Sequence, residues 1–349
     1  MKYDEIVKTH YKDLQKLSDE EIYDVVTEVI KHYREAGFPY FEIDHNRIAK
    51  EFNNLQNLNP RDLELKDNEL QQSMVGLATC NMFHPEMYSV KCNNSKSPME
   101  IFEDDELFRV ALTKRIKYND RYLTPSCVRR SLTAFGGQGV SNFRPSIAKW
   151  AYRKFGSGGS VVLDPCAGYG GRLLGAVTSN IKEYFGFDPN KVSIEGNINL
   201  YHALHRASKY RIGTKVTLLA EPFEDSNINK KFDIVFTSPP YFDKEKYSND
   251  DTQSWMRYKT YDSWVRGFLQ PLIEKSYELL DTGGYLILNV GDPIIDTTKF
   301  IGSWVFNKNP LVYKMRLSKF LGKGDKAQIS HKLEPIFIWR KNARKTKTI

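Results

Sequence analysis

Two short stretches hold residue types that could do chemistry. Ser238-Pro239-Pro240-Tyr241 follows the apolar run FDIVFT. Each proline ring fixes φ and removes a backbone donor, so a double proline can neither continue a sheet nor open a helix interior. A rigid, donor-poor loop suits a site that presents carbonyl oxygens and an aromatic face. The second stretch, VVLDPCAGYGGRLLGA, closes a buried run at Asp164 and turns through Gly168, Gly170 and Gly171 into a helical pattern. Small residues let a ligand approach the backbone, and the first turn of a helix leaves N–H groups open. The G-x-x-x-x-G-K-[ST] pattern is absent, which disfavours a nucleoside triphosphate.

The elements that must position these stretches alternate. From Ser160 onward, SVVLDP, EYFGFDP, KVTLLAE, FDIVFTSPP and GYLILNVGD read as strands, with late strands near YKMRLSKFL and EPIFIWRK. GGRLLGAVTS, KVSIEGNINLYHALHR and YDSWVRGFLQPLIEKSYELLDTGG lie between them and read as helices. This alternation predicts an α/β fold, a Rossmann-like parallel sheet with helices on both faces. Ligands then sit beyond the C-terminal strand ends. At the second end Asp188 is placed to accept hydrogen bonds from ribose hydroxyls, or else to begin an Asx-turn. At the third, Glu221 or Phe223 faces an adenine ring or belongs to turn and core.

Residues 1–135 read as a mainly helical region with a possible part in target recognition. The helix LSDEEIYDVVTEVIKHYREAG opens with Ser18 and Glu21 at capping-box spacing. A boundary is expected within Gly136 to Asn142, followed by a sheet domain over 136–341 and a basic tail over 342–349. There is no internal repeat. The 349 residues carry a net charge of +8 and are 40% hydrophobic and 27% charged, as expected of a folded chain that can meet a polyanion. No apolar run reaches membrane-spanning length, and MKYDEIVKTHYKDL is too polar for a secretory signal. Cys80, Cys92, Cys127 and Cys166 show no C-x-x-C pairing, so a zinc knuckle and a disulfide framework are not expected. A cytoplasmic, reducing setting follows, and His84, His202 and His205 read as core or surface residues with no metal.

DPCAGYGG, followed about 70 residues later by TSPPY, resembles the S-adenosylmethionine-dependent amino-methyltransferases, which methylate exocyclic amines of nucleobases. The resemblance covers residues from about 140 to 341. It implies that Asp164, Gly168 and Gly170, in a turn that also holds Cys166 and Ala167, bind the methionine part of the cofactor, and that Asp188 holds the ribose. Phe143 and Arg144-Pro145 would open a helix that touches the cofactor carboxylate. Ser238, Pro239, Pro240 and Tyr241 would form the catalytic loop. Cys166 belongs to the cofactor turn and reads as packing, not as the nucleophile of a cytosine-C5 enzyme. The expected partner is duplex DNA with the target base flipped out. In the resembled family an initial serine leans toward N4 of cytosine over N6 of adenine.

Lys244, Lys246, Arg257 and Lys259, in the polar and aromatic segment after the tetrad, are candidate phosphate contacts, as are Arg129 and Arg130. RNA as substrate, a non-catalytic subunit that kept the fold, and transfer of a group other than methyl are the alternatives. Oligomeric state is not legible.

Overall fold

Ser18 and Glu21 close their capping box in the computed structural model. Glu21 N–H donates to Ser18 Oγ at 3.2 Å, and Ser18 N–H donates to Glu21 Oε2 at 2.7 Å. The helix Asp19–Ala36 so begun buries Ile22, Val25, Val26, Val29, Ile30 and Tyr33 along one face and stops at Gly37, where φ is 83°. The structure describes residues 1–118, 121–135, 137–208, 212–248, 250–321 and 328–342. Gly136, at the expected boundary, and the basic tail beyond Asn342 lie outside the described residues.

The described strands are β1 (Glu69–Gln71), β2 (Lys91–Cys92), β3 (Val161–Asp164), β4 (Glu183–Phe187), β5 (Lys215–Leu219), β6 (Phe232–Thr237), β7 (Glu245–Lys246), β8 (Leu280–Asn289), β9 (Leu311–Leu321) and β10 (Gln328–Arg340). Eight of them form one sheet in the order β1-β9-β10-β8-β6-β3-β4-β5. Every neighbouring pair is parallel except the two that involve β10. All strands but β10 therefore end at the same edge of the sheet. Val162, Leu163, Ile234, Val235 and Phe236 in the central strands are fully buried, as expected of a parallel sheet covered on both faces.

The chain divides into two units, and the division is not a single cut at residue 135. The helical unit comprises Met1–Glu42, Pro85–Ser141 and Glu245–Tyr247; the sheet unit comprises Ile43–His84, Asn142–Lys244 and Ser248–Ile349. Ile43–His84 join the sheet unit for identifiable reasons. β1 pairs with β9, Lys149 Nζ donates to the Leu55 and Gln56 carbonyls at 2.6 Å, and Glu64 accepts from Trp150 Nε1 at 2.8 Å. In the helical unit, β7 pairs with β2. The helical unit holds 16 Lys and Arg against 18 Asp and Glu, and the sheet unit holds 35 against 25. The positive excess of the chain thus resides in the sheet unit.

Candidate active site

The two chemical stretches meet because their strands are neighbours. β3 pairs with β6 in parallel, Leu163 opposite Val235, so the glycine turn and the tetrad leave the same edge side by side. Cys166 N–H donates to Thr237 Oγ1 at 3.1 Å, tying the two exits together.

Asp164 is the hub of this edge, and here the structure corrects the expectation of a cofactor contact. The residue is 0% exposed and both oxygens are occupied. Oδ2 accepts from Arg172 Nε and from Tyr184 OH, each at 2.7 Å; Oδ1 accepts from Thr237 Oγ1 at 2.9 Å and from Cys166 N–H at 3.3 Å. Arg172 also donates to the Cys166 carbonyl. A carboxylate satisfied this fully positions the turn and has no oxygen left for a ligand.

The turn itself is open where glycine makes it so. Gly168 and Gly170 adopt φ of 54° and 80°, in the left-handed region. A Cβ on Gly170 would lie 2.6 Å from Leu200 Cδ2 and 2.7 Å from Asn197 Oδ1. Asn197 Nδ2 donates to the Gly168 carbonyl at 2.8 Å, and the buried His84 sets Asn197 through a 3.1 Å contact between Nε2 and Oδ1. Of the two placements left open for it, His84 takes the core one, and there it supports the turn. Asp188 forms the Asx-turn expected of it and also braces the glycine turn. Oδ1 accepts from Asn190 N–H at 2.9 Å, which is the Asx-turn, and Oδ2 accepts from Gly168 N–H at 2.9 Å. Burial pushes its carboxyl up.

Around this core the other expected residues separate. Ala167 is buried and its N–H donates to the Phe187 carbonyl at 2.7 Å. Cys166 is half-buried and burial pushes its thiol well up, consistent with packing and not with a ready thiolate. Arg144 donates to Gln72 Oε1 at 2.8 Å and to the Asn142 carbonyl at 2.9 Å, beside Pro145 at the helix start, and Phe143 packs edge-on against Phe236. Glu221 is exposed. Phe223 is 1% exposed, packs on Phe187 at 5.4 Å, and has Lys275 Nζ 4.9 Å above its ring. It belongs to the core and presents no face for an adenine, a second correction.

In the tetrad Pro239 is buried, while Ser238, Pro240 and Tyr241 are half-buried. The Tyr241 ring lies against the backbone just past β8: a Cβ on Gly291 would stand 2.7 Å from Tyr241 Cε2. Gly291→Ala is therefore expected to displace the ring and, with Tyr241 in the catalytic loop that the resemblance implies, to slow methyl transfer roughly tenfold, about 1.4 kcal/mol, with cofactor affinity unchanged. Single-turnover kinetics beside calorimetric cofactor binding would check this. Phe242 follows with φ of 61°, costly for a bulky residue. Its ring packs against Tyr261 at 5.7 Å and Trp264 at 5.9 Å, which holds the loop in that conformation.

The basic residues fare unequally. Arg129 is buried in the helical unit, donating to the Pro39 and Tyr40 carbonyls and lying 3.8 Å over the Phe41 ring, so it is not a phosphate contact; its neighbour Arg130 is exposed. Lys246 belongs to β7 in the helical unit, opposite Lys91. Lys244 is half-buried and Lys259 exposed in the sheet unit. Arg257 is spent on Asp225 at 2.8 Å and Glu224 at 3.2 Å. Burial pushes the Glu224 carboxyl up to about 7. The folded chain holds that proton more tightly than the unfolded one, so stability is expected to fall as pH rises from the usual carboxylate range through about 7. Glu224→Gln should flatten this part of a Tm against pH profile; an unchanged profile would contradict it.

Among the described residues no helix is long and apolar enough to cross a membrane, and no group of three or more His, Cys, Asp and Glu could hold a metal ion. The doubly wound sheet, with a glycine turn after β3 and S-P-P-Y after β6, defines a Rossmann-like methyltransferase, an enzyme dependent on S-adenosylmethionine. Residues 232–349, from the tetrad strand onward, match the model of the DNA methylase family. No curated protein matches the chain. Similar solved structures include a proposed class I S-adenosylmethionine-dependent methyltransferase from Listeria monocytogenes, 14% identical over 86% of this chain and 90% of that one, with a TM-score of 0.43. A methyltransferase from Pyrococcus furiosus is 15% identical over 57% and 83% (TM-score 0.35). A tRNA (m1A58) methyltransferase from Aquifex aeolicus is 11% identical over 58% and 71% (TM-score 0.39).

Proposed function

We propose that the protein methylates an exocyclic amine of a base in DNA, N4 of cytosine in preference to N6 of adenine. The observation that carries this reading is the adjacency of the glycine turn and the tetrad on neighbouring strands, within a chain that matches the DNA methylase model over residues 232–349. The residues fit S-adenosylmethionine. Gly168 and Gly170 keep the backbone approachable, Asp188 has lone pairs beyond its two backbone bonds, and Glu221 lies exposed at the next strand end. When bound, the sulfonium supplies an electrophilic methyl.

The amine nitrogen of a base is a weak nucleophile because its lone pair is delocalised into the ring. Ser238 Oγ and the Pro239 carbonyl would accept its N–H bonds, which favours a tetrahedral nitrogen and raises its electron density. The prolines fix that carbonyl before the base arrives, and Tyr241 would stack on the ring. Inside a duplex the amine cannot reach such a loop, so the base must be extruded.

Mass spectrometry of nucleosides from DNA co-expressed with the protein tests this. N4-methylcytosine is the expected product and N6-methyladenine the lesser alternative. Unmodified DNA together with methylated amines in RNA would move the reading to RNA. Failure to bind S-adenosylmethionine in calorimetry would leave a non-catalytic subunit.

A further inference from the structure

The tetrad Ser238-Pro239-Pro240-Tyr241 contains neither a carboxylate nor an imidazole. Methylation of an amine creates a need for one, because the nitrogen takes on positive charge as it bonds to carbon and must then shed a proton. Most carboxylates near this edge of the sheet are committed elsewhere. Asp164 has both oxygens occupied, and Asp188 serves the glycine turn and its own Asx-turn. Asp292 is exposed, with Lys332 Nζ 3.4 Å from its Oδ2, and Asp243, two positions beyond Tyr241, is exposed as well.

Glu334 is placed differently. Thr237 at the end of β6 stands opposite Leu288 in β8, which stands opposite Phe337 in β10. β10 runs against the other two, so its residues before Phe337 continue past the edge at which the tetrad begins, and Glu334 lies three positions out. The neighbouring Pro335 carbonyl accepts from Val290 N–H and from Asn289 Nδ2, each at 3.2 Å, which fixes this part of β10 to the chain leaving β8. The side chain then meets the catalytic loop. The place a Cβ on Gly291 would take is 3.0 Å from Glu334 Oε1 and 2.7 Å from Tyr241 Cε2. A carboxylate oxygen thus stands beside the edge of the ring that would receive the base. The residue is half-buried, where a charge acts more strongly than in open water.

We propose that Glu334 is a further catalytic residue, whose carboxylate accepts a hydrogen bond from the target amine and takes its proton; this rests on the reading of the enzyme as a base amino-methyltransferase. The amine nitrogen bonds to the methyl carbon as the bond from that carbon to sulfur breaks, and the electron pair of the broken bond stays on sulfur. Positive charge passes to the nitrogen. One N–H proton then moves to a Glu334 oxygen and from there to water, leaving a neutral methylated base. The carboxylate opposes the positive charge while it develops, and removal of the proton returns the nitrogen lone pair to the ring. A late strand thereby supplies the negative charge that a tetrad beginning with serine lacks.

Glu334→Gln keeps the shape of the side chain and removes its charge. On the nucleic acid that the wild type methylates, plasmid DNA or else tRNA, kcat should fall at least about a hundredfold. KM for that substrate and S-adenosylmethionine affinity by calorimetry should stay as they are. Wild-type kcat in this variant would overturn the assignment. A double-mutant cycle separates chemistry from mere support of the ring: in a Tyr241→Ala protein the same substitution should slow transfer further, by at least about tenfold. No further loss there would make Glu334 a prop for Tyr241 and overturn its catalytic role. Should the glutamine variant fail to bind S-adenosylmethionine, Glu334→Asp keeps the charge and withdraws it by one methylene. Its kcat should fall at least about tenfold with cofactor affinity unchanged, and wild-type kcat would again overturn the assignment. Wild-type protein that methylates no nucleic-acid amine would fail at the earlier reading, before any Glu334 variant is compared.

Discussion

Replacing Asp164 by asparagine is expected to cost the fold about 3–5 kcal/mol, the usual loss when one partner of a buried ion pair is removed. The substitution keeps the side-chain shape, so the loss isolates the charge and the acceptors. An amide can offer one oxygen, to one pair of donors, and must set an NH2 against the other pair. If the oxygen stays with Thr237 and Cys166, the amide faces Arg172 Nε and Tyr184 OH, both 2.7 Å away. Arg172, only 4% exposed, is then a buried cation with no anion. These donors come from β4, from β6 and from the helix after the glycine turn, so cofactor affinity should fall along with stability. Urea unfolding with equal m-values for both proteins is the measurement, and a loss under about 1 kcal/mol would show that Asp164 does not organise this edge. Thr237→Val, which removes the bond donated to the Asp164 carboxylate and the one accepted from Cys166 N–H, should cost less, about 1.5–3 kcal/mol.

Tyr241→Ala should leave stability and cofactor binding close to wild type and slow methyl transfer roughly 5- to 150-fold, the equivalent of about 1–3 kcal/mol of base stacking. The ring is half-buried against Gly291, so its removal opens little core. Tyr241→Phe keeps the stacking face and should retain most of the rate. An alanine variant that transfers methyl at the wild-type rate would remove the tetrad from the chemistry. One that loses cofactor binding instead would make Tyr241 part of the donor pocket.

What the sequence disclosed and what it withheld divide by distance along the chain. The strand at VVLD, the glycine turn and the S-P-P-Y corner are local patterns, each written within a dozen residues, and all form where read. The role of Asp164 was not legible because its partners lie 8, 20 and 73 residues away and become neighbours only through the parallel pairing of β3 with β4 and β6. The His84–Asn197 contact spans 113 residues and had no signal at all. β1 is three residues long, too short for an alternating pattern to show, and it joins a strand that begins 240 residues later. Phe223 illustrates the ambiguity of an aromatic at a strand end. Whether it faces ligand or core was decided by Lys275, from a distant helix, whose ammonium covers the ring and binds its carbonyl. In VRR, a difference of one position put Arg129 inside and Arg130 outside.

The uneven distribution of acids and bases has a kinetic corollary. A long phosphate polymer exerts opposite forces on the two parts of this chain, attracting the one with a surplus of ten cations and repelling the one with two extra anions. Arrivals are thus sorted by orientation before any atoms touch, out to about a Debye length, roughly 8 Å at physiological salt. In dilute buffer that sorting should quicken association; in brine it vanishes, and encounters become indiscriminate.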